Sequence, residues 1–76
     1  MNGFVSIIFN GQSNSKPNTI INKVGKVENV IFAYLVTGPV DAIAWVQAPN
    51  SEAFRAALLD INAIPGVDRT STNVAL

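Results

Sequence analysis

The sequence holds no cysteine and no histidine, so thiol nucleophiles, disulfides, the commonest metal ligand and the commonest general base are all missing. Asp41 has no second carboxylate nearby in sequence, and one acid alone is a poor set for proton transfer. What remains suits holding a molecule rather than transforming one. Thr37-Gly38-Pro39-Val40-Asp41 is a polar turn, Thr70-Ser71-Thr72 is a run of hydroxyls, and Tyr34 and Trp45 are aromatic residues with a polar handle. No enzyme, cofactor or metal site is expected from this set.

The elements that must position these groups come from a short chain. Seventy-six residues leave room for one domain, spanning 1–76, and a domain of that size buries only roughly 60% of the surface its unfolded chain exposes. Hydrophobic residues make up 49% and charged residues 13%, against about 25% charged in an ordinary soluble domain. Polar surface is too scarce for a comfortable monomer. Five basic residues balance five acidic ones, so no positive field draws phosphate or anionic lipid, and nucleic acid is not an expected direct partner. The longest apolar stretch, Val30 to Val36, is far short of the roughly 20 residues that span a bilayer. Nor does a basic region precede the apolar N-terminal run. A cytoplasmic location without membrane contact is the default expectation.

Phe4 to Phe9, closed by Asn10-Gly11, reads as a central strand. A polar loop from Gln12 to Ser15 ends on a capping-type serine with Pro17 close behind, which predicts a helix start. Ile20, Ile21, Val24 and Val27 share one face of that helix, although Gly25 costs it about 1 kcal/mol relative to alanine. Val30 to Val36 shows no alternation and reads as a strand buried on both faces. Thr37-Gly38-Pro39 breaks it, and Val40 to Ala48 reads as a third strand joined to the second by a very short hairpin connection. Asn50 is a good N-cap for a helix that places Phe54, Ala57, Leu58, Ile61 and Ile64 on one face. Pro65-Gly66 ends it. Val67 to Leu76 alternates and suits an edge strand with one side wet.

The order is βαββαβ. Lys26 to Val30 and Ala63 to Val67 occupy matching helix-to-strand junctions, as a duplication would place them. Right-handed crossovers then give an α+β ferredoxin-like sandwich, with an antiparallel sheet ordered 4-1-3-2 and both helices on one face. Two helices cover only one face of four strands, so the other face should be polar in a monomer. Instead, both parities of strands two and three carry large apolar groups. A bare apolar sheet face marks an interface, and a homodimer packed sheet to sheet, or a larger ring, is the expected assembly. Tyr34, Ile43 and Trp45 are the expected contacts, while Lys23, Lys26 and Arg69 read as solvated surface charges.

Val36-Thr37-Gly38-Pro39-Val40-Asp41 and Ile64-Pro65-Gly66-Val67-Asp68-Arg69-Thr70-Ser71-Thr72 form a pattern that resembles the RAM domain of the Lrp/AsnC transcriptional regulators. This is the half of those proteins that binds effectors and oligomerises. The resemblance rests on a hairpin turn of the Thr-Gly-x-aromatic-Asp type and a Pro-Gly-Val junction followed by an Arg-Thr-x-Thr-like strand. It runs from about Gly3 to Leu76 and includes no helix-turn-helix, so a stand-alone RAM protein is the expectation. The resemblance implies a small-molecule site, ordinarily for an amino acid, around the hairpin turn at a contact between dimers. There Thr37, Gly38, Val40 and Asp41 would line the site. Gly38 would admit a close backbone approach, Asp41 would accept from an ammonium group, and Thr70 or Thr72 would meet a carboxylate. The simpler readings are a turn glycine, a turn or strand cap, and ordinary edge-strand threonines. Val40 stands where the family has an aromatic residue, keeping an apolar wall without a hydroxyl. Pro39 removes a backbone N–H donor.

Three functions follow in order of support. The first is a module that binds a small amino acid or related metabolite and modulates its own assembly, or that of a partner carrying the helix-turn-helix. A purely structural assembly domain comes second. A small enzyme on a dimeric ferredoxin-like scaffold comes last, since this fold hosts many chemistries but Asp41 stands alone.

Overall fold

The computed structural model describes residues 1–11 and 16–76. Its elements run β1 (Asn2–Phe9), α1 (Pro17–Gly25), β2 (Val30–Leu35), β3 (Ala42–Gln47), α2 (Ser51–Asn62) and β4 (Val67–Ala75). The sheet is antiparallel throughout, in the order β2-β3-β1-β4. Read from its other edge this is the expected 4-1-3-2 arrangement, and β1 is central as its β-branched, aromatic run predicts.

Each helix forms for a legible reason. At α2 the Asn50 side chain accepts a hydrogen bond from the Ala53 N–H at 2.8 Å, which satisfies one of the orphan donors of the first turn. Phe54, Ala57 and Ile61 are buried along its inner face. α1 is weaker. Its N-cap is Lys16, which makes no side-chain cap, with Pro17 in the first turn; Ser15, the expected capping residue, lies outside the described residues. Ile20 and Val24 hold α1 to the sheet.

The core lies between the helices and one sheet face: Val5 and Ile7 of β1, Ala42, Ala44 and Val46 of β3, Ile20 and Val24 of α1, and Phe54, Ala57 and Ile61 of α2. Small residues on β3 let the helices approach closely. Gly3 belongs to the same device, because a β-carbon there would lie 2.8 Å from both the Asn73 carbonyl oxygen and Phe54 Cζ. The Phe54 ring sits where the glycine leaves room.

Two expectations about β2 and β3 need correction. β2 is not buried on both faces. It is an edge strand with Ile31, Tyr34 and Leu35 exposed, and its unbroken apolar run reflects two apolar sides of which the helices cover one only in part. β3 also starts at Ala42 rather than Val40, and the expected β2–β3 hairpin closes through the Val36 N–H bond to the Asp41 carbonyl, with Thr37 to Val40 as its loop. Pro39 cannot donate to a ladder, and Gly38 takes φ of 123°.

Candidate functional site

Three loops meet at the end of β1. The Asp41 N–H donates to the Ile7 carbonyl at 2.9 Å, the Val36 N–H donates to the Asp41 carbonyl at 3.0 Å, and the Asn10 N–H donates to the Gly66 carbonyl at 2.8 Å. The hairpin loop, the end of β1 and the junction before β4 are thus tied to one another, as the topology predicts. Asp41 carries the tie. Its Oδ2 accepts from the Phe9 N–H at 2.8 Å, so the side chain serves the Phe9 donor where β3 has already left the sheet. Backbone donors at a sheet margin need such a partner or water.

Thr37, Gly38 and Pro39 are exposed and Val40 is half-buried. Gly38 has open space where a β-carbon would stand, so backbone at this loop can be approached from outside. Among the described residues no group of three His, Cys, Asp or Glu side chains could hold a metal ion.

Thr70 and Thr72 stand on β4. Thr70 pairs with Ile7 and Thr72 with Val5, and directly opposed residues share a sheet face, so both threonines lie on the helix side. Thr70 is already engaged: Asn62 Nδ2 donates to its Oγ1 at 3.0 Å and to the Leu58 carbonyl at 2.9 Å. This joins the last turn of α2 to β4. The Thr70 hydroxyl is thus turned toward α2 and already shared with Asn62.

The second feature is the open sheet face. Phe32 pairs with Trp45, Trp45 with Phe4, Tyr34 with Ile43, and Ile43 with Ser6, and all of these lie opposite the helices. Phe4 and Trp45 have ring centroids 4.5 Å apart, and Phe32 stacks on Tyr34 at 5.2 Å. Tyr34 is 63% exposed and Phe4 45%. The apolar surface is concentrated over β2, β3 and β1. On the β4 side the same face turns polar with Arg69, Ser71 and Asn73. Tyr34, Ile43 and Trp45 all stand on this face, where the sequence places its candidate contacts.

The family model described as the Lrp/AsnC ligand binding domain matches residues 2–76. Among curated proteins none matches the chain. Among solved structures, a protein from Thermus thermophilus superposes with a TM-score of 0.84 at 28% identity, over 99% of this chain and 91% of the other. AsnC of E. coli superposes with a TM-score of 0.83 at 24% identity, over 99% of this chain and 50% of its own. A transcriptional regulator from Neisseria meningitidis, solved as a complex with L-Met, gives 0.80 at 19% identity, over 99% of this chain and 49% of its own. The chain thus spans about half the length of these last two regulators.

Proposed function

Because the chain belongs to the Lrp/AsnC ligand binding domain family, we propose that it is an effector-binding and oligomerising module that takes a small amino acid at the hairpin end of the sheet. The observation that carries this reading is the convergence of the exposed Thr37–Val40 loop, the Asp41 carboxylate and the Asn10 and Gly66 backbone at one place. Asp41 supplies an acceptor for an ammonium group, Gly38 an open approach to backbone, and Val40 an apolar wall. Assembly follows from the open face, where Phe4, Phe32, Tyr34, Ile43 and Trp45 pack against the same face of a second copy, in a dimer or a larger ring. The module acts in the cytoplasm, either by itself or with a family member that bears a helix-turn-helix. Among the described residues no helix is long and apolar enough to cross a membrane.

Calorimetry and thermal melting with each of the twenty amino acids test the binding. A ligand at 100 times its Kd raises stability by about 2.7 kcal/mol, and silence across all twenty at millimolar concentration overturns the sensing role.

A second reading, an assembly domain without a ligand, is favoured by one observation. Asp41 Oδ2 and Thr70 Oγ1 both already have protein partners. Under that reading light scattering shows an oligomer whose size no amino acid changes.

A further inference from the structure

An asparagine followed by glycine is open to attack on its side-chain amide by the next backbone nitrogen, because glycine sets no β-carbon beside that nitrogen. The chain has two such pairs, Asn2-Gly3 and Asn10-Gly11. The fold treats them oppositely.

Asn2-Gly3 lies inside β1, where Gly3 pairs with Val46 of β3 on one side and Val74 of β4 on the other. The Met1 ammonium donates to the Ala48 carbonyl at 2.6 Å, and the Ala48 N–H donates to the Met1 carbonyl at 2.9 Å. Hydrogen-bonded pairs recur at every second residue of an antiparallel ladder, so Gly3 and Val46 form the next one and the Gly3 N–H donates to the Val46 carbonyl. Gly3 is buried, and a β-carbon there would lie 2.8 Å from both the Asn73 carbonyl oxygen and Phe54 Cζ. Its nitrogen is held by the ladder and has no room to turn toward the Asn2 side chain.

Asn10-Gly11 stands past the end of the same strand. The β1–β4 ladder stops at Phe9, and the Asn10 N–H is tied to the Gly66 carbonyl at 2.8 Å. Gly11 follows in a turn, exposed, without positive φ and with nothing within 4 Å of the place a β-carbon would take.

We propose that Asn10 is a self-modification site, at which the Gly11 backbone nitrogen attacks Asn10 Cγ and the residue converts, without an enzyme, to aspartate and isoaspartate. Base in the solvent takes the Gly11 amide proton, the nitrogen bonds to Cγ, and the side-chain nitrogen leaves as ammonia, closing a succinimide ring. Water then opens the ring. Addition at Cγ gives aspartate; addition at the main-chain carbonyl carbon gives isoaspartate, whose backbone runs through Cβ and Cγ. One water is consumed for each ammonia released, and nothing is oxidised or reduced. The product adds a sixth acidic group to a chain in which five basic residues balance five acidic ones. The new charge stands one residue beyond Phe9, whose N–H already bonds the Asp41 carboxylate, so a second anion enters the hairpin end of the sheet. This chemistry does not depend on the amino-acid reading given above.

The test incubates the full chain in mildly alkaline buffer, folded and in guanidinium chloride, and follows a gain of about 1 Da by mass spectrometry. Fragmentation of the tryptic peptide 1–23 assigns the gain to a residue. Folded protein is expected to convert at Asn10 and to keep Asn2 intact, whereas the unfolded chain is expected to convert at both. Gly11→Ala sets a methyl group beside the attacking nitrogen and into open space. It should keep the melting temperature and lose the conversion at Asn10 over the same incubation. Asn10 intact in folded protein while it converts in guanidinium chloride overturns the proposal, as does conversion of Asn2 at the rate of Asn10 in the folded chain. Aspartate formed without isoaspartate, at a rate that Gly11→Ala does not change, would mean that water attacks the amide directly, and overturns the role of Gly11.

Discussion

Asn29 and Gly66 hold the same position in the two halves of the chain, each the last residue before a strand and each with positive φ, 73° and 100°. The hydrogen bonds around them match. Val27 N–H donates to Val24 at 3.1 Å and Val30 N–H to Val27 at 3.1 Å; in the second half Ile64 N–H donates to Ile61 at 3.2 Å and Val67 N–H to Ile64 at 3.1 Å. The repeated junction turns each helix back onto the sheet with one residue in the left-handed region. Asparagine tolerates that region at φ of 73°, whereas φ of 100° is glycine territory.

Gly66→Ala should therefore cost about 1 to 2 kcal/mol, while Asn29→Gly should be close to neutral. Urea denaturation of both variants at one protein concentration makes the comparison. Equal losses would mean that the two junctions are not held by backbone conformation.

The opposite sign is expected at Gly25. It is the last residue of α1, exposed, without positive φ and with open space at its β-carbon position. Gly25→Ala should stabilise the protein by about 0.5 kcal/mol through helix propensity and a less free unfolded chain. Thermal melting reads the shift, and a loss would mean that the end of α1 needs glycine for a reason other than space.

Much of this architecture is legible in the sequence because periodicity and punctuation agree. Asn50 caps α2, Phe54, Ala57 and Ile61 fall on its buried face, and the end of β1, the hairpin loop and Gly66 meet as the topology requires. Register is the part that hides. The alternation of Val67 to Ala75 shows two faces, but counting from buried Val67 would put Arg69 toward the helices and Thr70 toward the open side. The β-bulge between the Phe9–Val67 and Ile8–Arg69 pairs reverses this parity, because one extra residue flips every later side chain. The bulge moves the threonines under the helices and turns Arg69 to the open side. β2 misleads for a different reason: an unbroken apolar run looks the same on a central strand and on an edge strand whose free face is also apolar.

Asp41 separates its two roles through one pair of variants. Asp41→Asn keeps a carbonyl acceptor for the Phe9 N–H, so stability should change little, whereas Asp41→Ala leaves that donor to water and should cost about 1 kcal/mol. Amino-acid affinity should fall in both variants by about 1.5 to 3 kcal/mol, since each removes the charge that meets the ammonium. Calorimetry and chemical denaturation on the assembled oligomer give the two readouts. Wild-type affinity in Asp41→Asn would remove Asp41 from the site.

The open face yields the sharpest comparison, because Tyr34 and Leu59 are almost equally exposed in a single copy, 63% and 60%, yet lie on opposite sides of the molecule. Tyr34 stacks on Phe32 within the aromatic face, and Leu59 lies on the outer side of α2. Tyr34→Glu and Leu59→Glu each add one negative charge at a site that a lone chain leaves in water, so neither should unfold it. If the aromatic faces of two copies pack together, Tyr34→Glu buries an unpaired carboxylate and should weaken the pair by about 3 to 5 kcal/mol, enough to give monomer at micromolar concentration. Leu59→Glu should leave the oligomer intact. Trp45→Glu should act like Tyr34→Glu but also disturb folding, because Trp45 is half-buried against Phe4. Sedimentation or light scattering decides the matter: an oligomer that survives Tyr34→Glu and dissociates with Leu59→Glu would move the interface from the open sheet face to the helices.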